Sequence, residues 1–177
     1  MLANPHQSCV ILLNVTRGGK VDAQASASDH DGAVALLPAC RELFGVRQIA
    51  VGEYQHDLLP NQVAACIEHL DVDALSSWRD PRLAARLTEL NTGIIFLGGA
   101  FLEEEVLIAA LAGAAHGYEI RLLSDLSFGR READRPLALT RLAHYGILAT
   151  TIRQALLEWS VSLGDPALSR RVQDLLS

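Results

Sequence analysis

Two uninterrupted apolar runs constrain this chain most: CVILLNV at 9–15 and GIIFLGG at 93–99. A strand with one wet face alternates apolar and polar residues. A run that is apolar at nearly every position has to be covered on both faces, as the central strands of a parallel sheet are. The rest of the chain alternates strand-like and helix-like periods. RQIAVGEY (47–54), YEIRLLSD (118–125) and ILATT (147–151) read as further strands. GAVALLPACRELF (32–44), PNQVAACIEHL (60–70), DPRLAARLTELN (80–91) and DRPLALTRLAHYG (134–146) read as helices, as do IRQALLEWSVSL and PALSRRVQDLL at the end. Asp29 or Asp31 suits the cap of the first helix, and Pro38 is expected to kink it. Asp80 and Pro81 mark the start of the third. TRGGKVDAQASASDH (16–30) is polar, with two adjacent glycines, and reads as a loop. This alternation predicts an α/β fold, a mostly parallel sheet with helices on both faces.

The chain has 177 residues, which suits a single domain spanning 1–177. Half of them are hydrophobic and 20% charged, a balance that excludes a disordered chain. The formal net charge is −6 and the arginines are scattered among acids. A nucleic-acid partner, which needs a concentrated basic face, is therefore not expected, nor is an anionic membrane. The first fifteen residues lack the basic and apolar regions of a signal peptide. The longest apolar run, VLIAALAGAA (106–115), is well short of the roughly 20 residues that span a bilayer. A cytoplasmic location is the expectation. The odd number of cysteines, Cys9, Cys40 and Cys66, and the lack of CxxC spacing argue against a disulfide framework or a zinc site. No metal or cofactor is expected.

Ligands of such sheets bind beyond the C-terminal strand ends. That rule points to Asn14–Thr16, Gly52–Asp57, Gly98–Glu105 and Ser124–Ser127. Glu103, Glu104 and Glu105 open the helix after the second apolar run, where carboxylates interact favourably with the helix dipole. Glu105 differs from its neighbours because it adjoins the wholly apolar segment 106–115 and can point into a pocket. Glu53 and His56 flank another strand end and could form an acid/base pair. Gly98-Gly99 matches neither phosphate-binding glycine signature. The apolar helix 106–115 needs cover on all sides, and its alanines and Gly113 suit close approach by a neighbouring subunit.

Read together, these segments resemble the isochorismatase-like (cysteine hydrolase) superfamily, and within it a bacterial branch of hydrolases that form ring-like oligomers. The resemblance rests on SSWRDPRLAARL, on IIFLGGAFLEEEVLIAALAGAAHGYEIRLLSD and on LALTRLAHYGILATTIRQALLEW, and more weakly on VILLNV and VGEYQHDLLPNQV. It implies a three-layer α/β/α sandwich and a homo-oligomer. It also implies a pocket for a small molecule bordered by Trp78 and by Gly99, Ala100 and Phe101, with a cis peptide at Ala100–Phe101. The family's chemistry uses an aspartate as proton shuttle, a lysine and a nucleophilic cysteine. The equivalent positions here are Asn14, Val72 and Glu105. Asn14 cannot exchange a proton near neutral pH and Val72 carries no charge. A carboxylate is a far poorer nucleophile than a thiolate toward an amide. The resemblance thus implies a family member without the Asp/Lys/Cys triad: a pseudoenzyme that binds a small molecule or serves as a structural oligomer. The alternative is an active hydrolase of small amides, esters or vinyl ethers, rebuilt on Glu105 with Glu53 or His56.

Overall fold

The computed structural model of the chain describes residues 1–17 and 27–177, so the loop expected at 16–30 falls largely outside it. Six strands form one sheet: β1 Ser8–Leu13, β2 Arg47–Val51, β3 Ile67–Leu70, β4 Ile94–Ala100, β5 Glu119–Phe128 and β6 Leu148–Thr150. Their order is β3-β2-β1-β4-β5-β6 and every pairing is parallel. The two apolar runs supply the two central neighbours, β1 and β4, paired from Ser8↔Ile94 to Leu13↔Gly99. Strand order reverses between them, and the crevice beyond their C-terminal ends is the place where such sheets hold ligands.

The pleat sorts the central strands into two cores. Cys9, Ile11 and Leu13 of β1, with Ile95 and Leu97 of β4, join one cluster. Val10, Leu12 and Phe96 join the other. The first cluster is capped by α4 (Pro81–Glu89), α5 (Leu107–Ala115) and α6 (Arg135–His144). The second lies under α1 (Ala27–Ala35), α2 (Leu37–Phe44), α7 (Ile152–Ser162) and α8 (Pro166–Leu176). Three layers result, as the alternation of apolar runs requires. Trp159 anchors the second core. It is fully buried and packs edge-on against Phe96, ring centroids 5.0 Å apart, with Phe44 at 5.6 Å.

The structure corrects several sequence expectations. The helix expected at 60–70 is one turn, α3 (Asn61–Ala64), followed by β3. β3 pairs only with β2 among the described residues and is half-exposed, so it carries neither the continuous apolar run of β1 nor clean alternation. The helix expected at 32–44 begins earlier and is two helices, divided at Leu36 ahead of Pro38. Asp29 and Asp31 both lie inside α1, Asp29 in its first turn, rather than ahead of it. Asp80 does cap α4, accepting from the Arg82 N–H at 2.9 Å. Most of α5 is covered by its own chain. Gly113 lets the helix close on Trp78 and Ile120; a Cβ there would lie 2.7 Å from the indole. Only Ile108 and Ala115 of α5 are exposed, so the close approach expected of a neighbouring subunit is made by the segment Ala74–Arg79.

Candidate functional site

Beyond β1 the chain turns sharply at Asn14, whose φ of +46° is one that asparagine tolerates better than most residues. That turn buries the Asn14 amide between three strand ends. Its Nδ2 donates to the Ala100 carbonyl at 3.1 Å, and its Oδ1 accepts from the Glu53 N–H at 2.8 Å. The backbone N–H of Asn14 donates to Val51 at 2.8 Å. One side chain thus ties β1 to the residues after β2 and to the end of β4. The task needs a donor and an acceptor on one planar group, which an amide supplies and a carboxylate does not.

The turn also delivers Arg17. Its Nε donates to Glu53 at 3.0 Å and its Nη1 to Glu105 at 2.8 Å. Burial disfavours the guanidinium charge, but the hydrogen bonds that Arg17 donates to Glu53 and Glu105 outweigh it and raise the Arg17 pKa. The second oxygen of Glu105 accepts from the Phe101 N–H at 3.2 Å. Both oxygens of Glu105 are therefore occupied, one by a cation and one by the backbone. The side chain of Glu105 is only 16% exposed, against 33% for Arg17 and 36% for Glu53.

A wide helical turn, Leu102–Val106, precedes α5 and carries all three glutamates. Val106 donates five residues back to Phe101, and Glu104 has a non-helical backbone. The turn opens the spacing, and each glutamate points at a different partner. Glu104 pairs with Arg130 at 2.7 Å, and the hydrogen bond from Arg130 holds its carboxyl below the usual range. Arg130 in turn stacks over the Phe101 ring at 4.2 Å. Glu103 accepts from the Arg131 N–H at 2.8 Å. Specific partners, beyond the helix dipole, thus account for Glu103 and Glu104: they fasten the loop after β5 to the site.

The sequence-predicted residues divide clearly. Asn14, Glu53, Ala100, Phe101 and Glu105 meet in one hydrogen-bonded network. The peptide Ala100–Phe101 is cis. Gly99 belongs to the same junction, with its Cα face pressed against the Leu13 backbone. Val72 lies in the apolar core with Leu13, Val51 and Leu102. Trp78 packs away from the network, donating to the Ala109 carbonyl at 2.8 Å and stacking on His116. His56 sits in a short turn, His56–Leu58, with its side chain 60% exposed and Asp57 as its charged neighbour at 3.5 Å. Among the described residues it makes no bond to Glu53 or Glu105. Arg17 is the member that sequence reading missed. Its only signal is a cation two residues past an apolar run, and its reach depends on the turn at Asn14. The cysteines offer no substitute nucleophile: all three are buried, and burial pushes Cys9 up to about 12. Among the described residues no three His, Cys, Asp or Glu side chains gather as a metal site requires.

No family model and no curated protein matches the chain. Solved structures do. The chain is similar to the YcaC gene product of Escherichia coli, described as an octameric hydrolase of unknown specificity, at 15% identity. That match covers 99% of this chain and 90% of the other, with a TM-score of 0.78. It is similar to the MAR1 ribonuclease of Caenorhabditis elegans at 16% identity, over 99% and 92% of the two chains, with a TM-score of 0.80. An isochorismatase family protein from Desulfovibrio vulgaris matches at 11% identity over 82% and 94%, with a TM-score of 0.64. The chain has the isochorismatase-like fold. At such identities the likeness establishes the fold alone.

Proposed function

We infer that the chain is an isochorismatase-fold protein that has given up cysteine-hydrolase chemistry and persists as a cytoplasmic homo-oligomer, residues 1–177 forming one domain. Its role is structural, with capacity to hold a small molecule near the strand ends. One observation carries this reading: Arg17 bridges Glu53 and Glu105, while Phe101 takes the remaining oxygen of Glu105. A carboxylate clamped in this way has both oxygens committed to donors of the protein itself, an arrangement that serves structure rather than attack on a substrate. Asn14 has both ends of its amide engaged, and Val72 contributes only bulk. The octameric state of the similar E. coli protein supports the oligomer. The net charge of −6 weighs against nucleic acid as a partner, although one similar structure is a ribonuclease.

A second reading draws on the same clamp. Glu53 and Glu105 reach one guanidinium, so two carboxylates are already gathered beyond the strand ends, where sheets of this kind hold ligands. A rebuilt hydrolase of small amides, esters or vinyl ethers would work through that pair; the position of His56 lends it no support. A turnover screen over those three substrate classes separates the readings. The expected result is no turnover above buffer for the wild type. Turnover that Glu105→Gln abolishes would overturn the non-catalytic reading and establish the second. Turnover indifferent to that substitution would remove Glu105 from the chemistry.

A further inference from the structure

We propose that the sheet edge at β6, with the apolar surface beside it, is the face through which this chain binds a second copy of itself. The proposal rests on the homo-oligomer reading above and says where the contact lies. β6 pairs only with β5 among the described residues, and both Leu148 and Ala149 are exposed. An unpaired strand edge left in water invites pairing with another chain. This edge also lacks the charges that ordinarily guard one: β6 reads Leu-Ala-Thr.

Apolar side chains flank the edge on the side of α7. Leu2, Leu157 and Val161 line an open groove of about 340 Å³, with Gln154 and Glu158. Positions 154, 157, 158 and 161 form one stripe of α7, spaced by three and four residues. Arg121 joins this groove to the strand edge. It is the β5 residue paired with Leu148, and it bonds both Glu158 and the Met1 carbonyl. On the approach to β6, Tyr145 is 65% exposed. The exposed fractions of Leu2, Tyr145, Leu148, Leu157 and Val161 run from 39% to 66%.

Area and charge favour a second copy as the occupant. The five side chains expose on the order of 500 Å² together, and two such patches reach the roughly 1,000 Å² that a specific interface needs. A two-fold contact uses the same patch twice, so nothing beyond this chain is required. The charged groups inside the patch are already neutralised: Arg121 pairs with both Glu119 and Glu158. Docking therefore strands no lone charge.

Sedimentation velocity on the full chain tests this, with circular dichroism as the check on folding. The wild type is expected to sediment as a multiple of 19.1 kDa. The double substitution Tyr145→Lys/Leu148→Lys is expected to weaken the assembly by more than about 30-fold. Val161→Lys, on a different element, repeats the measurement should the double variant misfold. Ile108→Lys, on the exposed point of α5, should leave the assembly intact. A wild-type oligomer that survives both β6-side changes overturns this surface and leaves the oligomer reading standing. A wild type that is monomeric at every concentration overturns both. Dissociation by Ile108→Lys alone moves the contact to α5 and also overturns the proposal.

Discussion

Gly99→Ala is expected to abolish the folded state or cost at least about 4 kcal/mol, the extreme of single-residue effects. β1 and β4 run side by side to the pair Leu13↔Gly99, and there the two backbones close in. A Cβ on Gly99 would lie 2.0 Å from the Leu13 carbonyl oxygen and 2.5 Å from its nitrogen. Neither atom is the end of a flexible side chain that can rotate away. Gly99 also has φ of +120°, a conformation that alanine adopts only under strain. The clash lies next to the Asn14 bond to Ala100, so relief by backbone movement would pull that junction apart. Natural domains have only about 5–15 kcal/mol to lose. Soluble yield and urea unfolding provide the measurement. Gly93→Ala is the control, because nothing lies within 4 Å of the Cβ it would add at the other end of the same strand. It should shift stability by no more than about 1 kcal/mol. Gly99→Ala unfolding at the wild-type midpoint would contradict the close approach of the two central strands.

The contrast between these glycines shows which parts of the molecule were legible from sequence. β1 and β4 could be read because a strand covered on both faces leaves a run of apolar residues that little else produces. β5 and the capped helix α4 were readable for equally local reasons: an apolar run, and Asp80-Pro81 at a helix start. β3 was not. Ile67, Glu68, His69 and Leu70 sit at an edge, where Glu68 reaches Arg86 at 2.8 Å and Arg47 at 3.7 Å, and these polar contacts erase the strand period. The candidate site divides in the same way. Asn14 and Glu105 were found by position relative to apolar runs and glycines. Arg17 was not, because its meeting with Glu53 and Glu105 depends on a positive φ at Asn14, and those partners lie 36 and 88 residues away. The cover of α5 was misassigned for a related reason. Periodicity says that a helix needs burying on all sides, but only the tertiary path of Ala74–Arg79 says what buries it.

Asn14→Asp is expected to lower stability by about 2–3 kcal/mol at pH 7 and by almost nothing at pH 3, a span set by roughly two units of pKa shift. The Glu53 N–H would still be satisfied, since either residue offers it an oxygen. The other end of the group changes sign. Where Asn14 donates to the Ala100 carbonyl at 3.1 Å, an ionised aspartate would set a second oxygen against it, in a position that is 2% exposed. Such a carboxyl has to keep its proton, so its folded-state pKa rises above the unfolded value near 3.9. Below that value both states are protonated and the penalty is absent. As pH climbs, the unfolded chain ionises freely while the native one cannot, and the deficit grows until the folded pKa is passed. Urea midpoints for both proteins across that range trace the effect. A flat difference would mean that the Ala100 carbonyl turns away and admits a charge. Asparagine here would then be only a substituted aspartate, and the site would be one change nearer to proton transfer. A deficit that grows with pH means that the amide is required at this turn. The loss of the acid/base group is then built into how the three strand ends are joined, and restoring Glu105→Cys alone would restore no chemistry.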